Sequence, residues 1–384
     1  MANDYTRGNC TIMKLLDIAK KNNWKICSYG LGVMGIGTGR KLLEWLNVTP
    51  DFYCDRNSKV LDRYSIANDK KIYLEELLQI KEDVLVFVFI GAEHSQNAQQ
   101  ELEKNSYLHV VTWQELLRGD ELIEKYFEIG SIPHYNKQEK IFCSRIENKI
   151  KDTDRIAIYT CITNGYDQLN EPLCIENNCD YFFITDMTDT EQLSASSIYK
   201  KINIDEVVPK RLTSSKDKNR YCKSHGYKIF SDYDYSIYLD GNIQIVKPIM
   251  PLLEMLSEVG VAFHMHPHTY DPYEEAFSLS IRSRITKQEA GKTMRWFWNK
   301  GMPRFYGMVE CSVILCNNRS SVANELLDKW FCNYDRGDAK RDQIYMSFTF
   351  WEMGIEIEQV RTLPGNWRTN GYFQLTSKHT GYQR

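Results

Sequence analysis

The sequence predicts an α/β protein of two domains, each organised around a sheet with parallel strands. Three observations carry this expectation. The chain has 384 residues, more than the roughly 100–200 of one ordinary domain. Short apolar runs alternate with amphipathic stretches in two separate series, the rhythm of strand–helix–strand units. A polar, charged segment, Lys137 to Asp154, lies between the two series.

The first series runs from Trp24 to about Trp113, with strands in "WKICSYG", "DFYCD", "VLVFVFIG" and "YLHVVTW" and helical stretches "GRKLLEWL", "YLEELLQI" and "NAQQELEK" between them. That order predicts a parallel sheet with helices on both faces. Gln114 to Phe127 then reads as helix and Gly130 to Pro133 as a break. After the first strand, Gly30, Gly32 and Gly35 form G-x-G-x-x-G. Glycines there permit a tight turn and let backbone N–H groups approach a pyrophosphate. Asp55 closes the next strand about twenty residues on, where an acid holds a ribose hydroxyl. The pattern points to NAD(P), and it fits equally a tight turn that binds nothing. No Tyr-x-x-x-Lys follows a serine downstream to support hydride transfer. The segment resembles the small Rossmann-type domain appended to many polysaccharide-biosynthesis enzymes. The expected division is 1–118 for this domain, 119–153 for a helical, charged connector, and 154–384 for the second domain.

The second series begins with the strand "RIAIYTC", followed by "DYFFITD", which ends in Asp186, and "YSIYLDGNIQI", in which a strand ends in Asp240. Ligands of open α/β sheets bind at the carboxyl ends of strands, so Asp186 and Asp240 are expected near one crevice. A carboxylate there can hold a hard cation, Mn²⁺ or Mg²⁺, against a substrate's phosphates. Gly241 lets the backbone turn, and Asn242 offers a neutral oxygen as a second metal donor. The same Asp-Gly-Asn also suits a hairpin turn between two strands.

Composition excludes several classes. A net charge of -3 with interspersed signs gives no surface for nucleic acid or for a polybasic membrane contact. No apolar run approaches the ~20 residues of a membrane span, and Met1 to Arg7 lacks a signal peptide's apolar core. A cytoplasmic protein, peripheral at the inner membrane face at most, is expected. Its 11 cysteines include no CxxC pair and fit reduced thiols.

Six blocks of the second series, in order, resemble a family of GT-A-type glycosyltransferases. They are "RIAIYTCITNGYD", "RYCKSH", "YSIYLDGNIQI", "HMHPH…YEEA", "GMP…GMVECSVIL" and "RDQ", between Arg155 and Arg361. The family occurs in bacterial capsule and surface-polysaccharide loci, with relatives among plant cell-wall polysaccharide proteins. The resemblance implies that Asp240 stands in for the DxD motif that holds metal and nucleotide sugar, although this chain has Asp-Gly-Asn. Arg220 and Lys223, one helical turn apart, are then expected to grip the donor diphosphate with His225 close behind. His264, His266 and His268 alternate at a strand end. Without further clustered ligands they suit the sugar or acceptor pocket better than zinc. Glu274 and Glu275 either touch the acceptor or stabilise a helix N-terminus. Glu310 and Asp342 are the candidates for removing the acceptor proton, with N-capping the competing role of Asp342.

The expected function is therefore transfer of a sugar from a nucleoside diphosphate carrier, preferably a UDP-sugar, to a growing capsular, surface or lipid-linked glycan. The alternatives are a nucleotide-sugar oxidoreductase or epimerase working from the glycine loop, and a non-catalytic nucleotide-sensing scaffold. Nothing in the pattern specifies an oligomeric state.

Overall fold

A computed structural model describes residues 11–63, 66–136, 150–187, 196–267, 269–366 and 369–376. The chain forms two compact units, Met1–Pro133 with Tyr273–Gly301, and His134–Pro272 with Met302–Arg384. The second domain was expected to run unbroken from 154. Instead the segment Tyr273–Gly301, which includes Glu274 and Glu275, belongs with the first unit.

The first unit is built on four parallel strands, β1 (Lys25–Tyr29), β2 (Phe52–Cys54), β3 (Val84–Val88) and β4 (Leu108–Thr112), in the order β2-β1-β3-β4. β3 is buried along its whole length, as its unbroken "VLVFV" requires of a strand covered on both faces. Cys27, Val84, Val86, Val88, Leu77 and Leu102 form the centre of its core. The helical stretch after Trp113 divides into Trp113–Arg118 and Asp120–Phe127 at Gly119. A Thr112–Glu115 capping box starts the first piece, satisfying two otherwise orphaned N–H groups.

The second unit carries β5 (Ile156–Ile162), β6 (Cys179–Thr185), β7 (Lys200–Asn203), β8 (Tyr235–Leu239), β9 (Ile243–Ile245), β10 (Val261–Met265), β11 (Val309–Asn317) and β12 (Phe373–Leu375). Six of them form a mixed sheet in the order β10-β11-β8-β5-β6-β7, and β9 pairs with β12. β8, β5, β6 and β7 are mutually parallel, whereas β11 runs antiparallel to both its neighbours. β5 and β8 are fully buried, and Ile158, Ile237, Val313 and Leu315 join their faces into one core with Leu252 and Leu253. Every described cysteine is a free thiol. Residues 137–149 of the charged connector lie outside the described residues.

The glycine loop follows β1 at the point where the strand order reverses between β1 and β3. Gly30 has φ +89°, and a Cβ there would come within 2.9 Å of the Phe89 carbonyl oxygen. A Cβ on Gly35 would lie 1.6 Å from the Gly30 carbonyl oxygen, while one on Gly32 meets nothing within 4 Å. Gly35→Ala is therefore expected to destabilise the first unit by about 1–3 kcal/mol or more, and Gly32→Ala to change stability by less than about 0.5 kcal/mol. Chemical denaturation of both variants checks this.

Candidate active site

The site is built where β8 ends. Its strand hydrogen bonding continues one residue past Leu239, because the Asp240 N–H donates to the Ser312 carbonyl at 2.8 Å. The chain then turns sharply, with Ile243 N–H donating to the Asp240 carbonyl at 2.9 Å. A Cβ on Gly241 would sit 2.8 Å from Ile162 and 3.0 Å from Asp167, so a larger residue would push the turn off the sheet. Asn170 donates to the Gly241 carbonyl at 2.9 Å. The turn is not a hairpin, since β9 leaves the six-stranded sheet to pair with β12.

The helix Ser215–Ser224, capped by the Ser214 hydroxyl, is pinned to β5 by Asn219, which donates to the Cys161 carbonyl at 2.7 Å. Its basic side chains meet two acids. Lys223, with 4% of its side chain exposed, places Nζ 3.1 Å from Asp240 Oδ1 and 3.2 Å from Asp342 Oδ2. Arg220 Nε lies 3.0 Å from Asp342 Oδ1. No aligned hydrogen bond reaches this Nε, so the contact is one of charge. The Tyr238 hydroxyl donates to Asp240 Oδ1 at 2.9 Å. Asp342 opens the helix Asp342–Met353. Burial pushes its carboxyl up, but Arg220, Lys223 and Arg341 outweigh burial and hold it well below the usual carboxylate range. Burial in turn disfavours the Lys223 ammonium, yet Asp240 and Asp342 hold its pKa above the ordinary lysine value.

Ser312 joins this cluster to a second one. Its carbonyl accepts from Asp240, and its hydroxyl donates to Glu310 Oε1 at 2.6 Å. Glu310 Oε2 lies 3.9 Å from His266 Nε2. The Thr269 N–H donates to His266 Nδ1 at 3.0 Å. A backbone amide can only donate, so Nδ1 accepts and the neutral imidazole carries its proton on Nε2, toward Glu310. Burial raises the Glu310 pKa, with His266 and Ser312 pulling against it.

Other expected site residues are placed elsewhere. Both His225 nitrogens are occupied, Nδ1 by Ser224 and Tyr221 and Nε2 by Asp328 at 3.0 Å. The ring stacks on Tyr221, because the chain turns away from the site at the end of the Ser215–Ser224 helix. Asp186 receives the Asn164 N–H at 2.9 Å and the Ser215 hydroxyl at 3.0 Å, tying the loop after β5 to the start of that helix. His264 is fully buried, edge-on to Phe373, and His268 lies outside the described residues. Glu274 and Glu275 occupy the first turn of the helix Pro272–Ile281. In the first unit both Asp55 oxygens accept backbone N–H groups, from Leu31 at 2.6 Å and Asn57 at 2.9 Å. One of those amides belongs to the glycine loop itself. Ser312, Tyr238 and Thr269 carried no sequence signal, since each acts through a partner that only folding supplies.

The donors for a divalent cation do not fit well. Among the described residues no group of three or more His, Cys, Asp or Glu side chains is arranged to hold a metal ion. Asp240 Oδ1 is shared by a buried ammonium and a phenol, leaving Oδ2 and the neutral Asn242 carboxamide. A hard dication prefers several oxygen donors and full anionic charge, whereas the Lys223 ammonium already offsets the charge of the half-buried Asp240 carboxylate.

Residues 134–363 match the model of the TOD1/MUCI70 glycosyltransferase-like domain family. No curated protein sequence matches the chain. Similar solved structures include apo mouse xyloside xylosyltransferase 1, at 13% identity over 52% of this chain and 83% of that one, with a TM-score of 0.34. The apo WbbM bifunctional glycosyltransferase aligns at 12% identity over 80% of this chain and 50% of that one, with a TM-score of 0.34. The galactosyltransferase LgtC with donor and acceptor sugar analogues aligns at 12% identity over 53% of this chain and 72% of that one, with a TM-score of 0.32. Among the described residues, no helix is long and apolar enough to cross a membrane.

Two outcomes are expected of the site's buried charges. Lys223→Met leaves Asp240 and Asp342 without their shared ammonium and should cost about 3–5 kcal/mol. Adding Asp342→Asn should recover part of that loss, which a double-mutant cycle of thermal unfolding measures. Burial pushes the His264 imidazole down to about 4 from 6.5. Its folded pKa lies below its unfolded one, so its contribution is present above about pH 6.5 and is lost as pH falls toward 4, up to about 3 kcal/mol. Stability of His264→Phe should fall less over that window than that of the unaltered chain.

Proposed function

Since this chain belongs to the TOD1/MUCI70 glycosyltransferase-like domain family, we propose that it moves a sugar from a nucleoside diphosphate donor, a UDP-sugar in the first instance, to a hydroxyl of a growing surface or lipid-linked glycan. The observation that carries this reading is the linked pair of clusters at the end of β8. Basic residues stand beside Asp240, and a buried carboxylate, Glu310, is tied to the same strand end through Ser312.

The roles divide along that line. The bond between the sugar's anomeric carbon and the diphosphate oxygen breaks with its electron pair leaving on the diphosphate. Arg220 and Lys223 offset the charge that develops there. Asp240 sets the position of Lys223 and borders the donor. The acceptor oxygen forms the new bond to the anomeric carbon, and its proton passes to Glu310. A carboxylate whose pKa is raised by burial is a stronger base than an exposed one, which suits this step. His266, with its proton on Nε2, steadies the glutamate as it changes charge.

The test is release of free nucleotide from a panel of UDP-, GDP- and CDP-sugars, with and without glycan acceptors. Glu310→Gln should lower transfer by about 10²–10⁴-fold while nucleotide binding persists. Because Glu310 must be ionised, the rate should fall as pH drops through its raised pKa, placing the acid limb above the usual carboxylate range. Undiminished transfer by Glu310→Gln would remove it from the mechanism.

A further inference from the structure

The helix beside Asp240 carries more positive charge than its acids absorb. Lys216, Arg220 and Lys223 stand at i, i+4 and i+7 along Ser215–Ser224, spacings that put three side chains on one helical face. Lys223 and Arg220 have Asp240 and Asp342 as partners, at 3.1 and 3.0 Å. Lys216 is exposed and ion-pairs with no carboxylate among the described residues. Arg341 immediately precedes Asp342, and its guanidinium likewise has no ion-pair partner among the described residues. Its position next to Asp342, whose Oδ1 touches Arg220, sets it at the same end of the cluster. The bordering acids are engaged elsewhere, Asp217 by the Tyr334 hydroxyl at 2.8 Å and Asp186 by Asn164 and Ser215.

We propose that the site binds the donor's diphosphate with cations built into the chain, Lys216 and Arg341 in front of the Arg220–Lys223 pair, and works without a divalent ion. The proposal rests on the transferase reading for the identity of the donor. Its chemistry is independent of which sugar is moved. A diphosphate linking a nucleoside to a sugar carries one negative charge on each phosphate, and two unpaired cations match it. A guanidinium presents a planar fork of donors to phosphate oxygens, and an ammonium supplies a compact point charge. Lys223, held between Asp240 and Asp342, occupies the electrostatic role that a metal would otherwise take beside a strand-end aspartate.

Calorimetric titration of the full chain with UDP, and separately with inorganic pyrophosphate, tests this in excess chelator and again with Mn²⁺. UDP is expected to bind in chelator with a Kd within about twofold of its value in Mn²⁺. Lys216→Ala and Arg341→Ala should each weaken binding by about tenfold, the loss of one charge-assisted contact, and each should lower the melting temperature far less than Lys223→Met, because neither makes a close ion pair and only a longer-range attraction to Asp342 is lost. Affinity should also fall as ionic strength rises. Binding that appears only with Mn²⁺, or variants that bind like the unaltered chain, would overturn the proposal. The transferase reading is judged separately by turnover. Binding in chelator without turnover of any sugar nucleotide sinks that reading and leaves the cation site standing. Turnover that requires Mn²⁺ does the reverse.

Discussion

The ammonium of Lys223 between Asp240 and Asp342 is the contact on which the rest of the second unit's chemistry depends. It joins three elements that are distant in sequence: the end of β8, the Ser215–Ser224 helix and the start of the Asp342–Met353 helix. Burying such charges is expensive, and the cost is recovered only when the geometry is good. Removing any one member leaves an uncompensated charge in the interior. The arrangement therefore has little freedom to relax, and it holds Asp240 and Arg220 in fixed relation at the carboxyl end of β8, inside the sheet.

How much of this was legible depended on the range of the interaction involved. The strands of both units were readable because an apolar run such as "VLVFV" or "YSIYL" states its own burial. The acid at the end of β8 was readable for the same reason, since a run of strand formers stops there. The pairing of β9 was not. Asp-Gly-Asn has local chemistry suited to a hairpin, and only the distant partner β12, whose Phe373 pairs with Ile245, draws the chain off the sheet. His225 illustrates the opposite failure. Two residues after Lys223 it is near the site along the chain, but it caps the end of the helix, and its ring packs on Tyr221 and Phe331. Lys216 stood in plain view one turn before Arg220, and the periodicity that paired Arg220 with Lys223 reaches it as well.

The glycine loop of the first unit shows why a motif and a ligand are separate claims. Gly30 and Gly35 are demanded by the chain itself, because a side chain on either would strike the backbone of Phe89 or of Gly30. Asp55, the acid at the end of β2, points both oxygens at amides of its own surroundings. The internal packing of the loop thus accounts for two of the three glycines and for the acid. Gly32 alone has open space beside it, so it is the single position of the motif that packing leaves unexplained.

Ser312 gives the second unit its remaining constraint. One residue fixes the strand-end aspartate with its carbonyl and the buried glutamate with its hydroxyl, so Asp240 and Glu310 cannot shift independently. Electrostatics couples them further. The Asp240 carboxylate raises the Glu310 pKa, and the Lys223 ammonium lowers it. A diphosphate arriving beside Lys223 adds negative charge on the same side as Asp240. By Coulomb's law a diphosphate bound there as proposed would strengthen the first of these influences and make Glu310 more basic with donor present than without it. In the proposed transfer the base would thus be tuned by the donor it acts beside, a consequence of placing both clusters on one strand end.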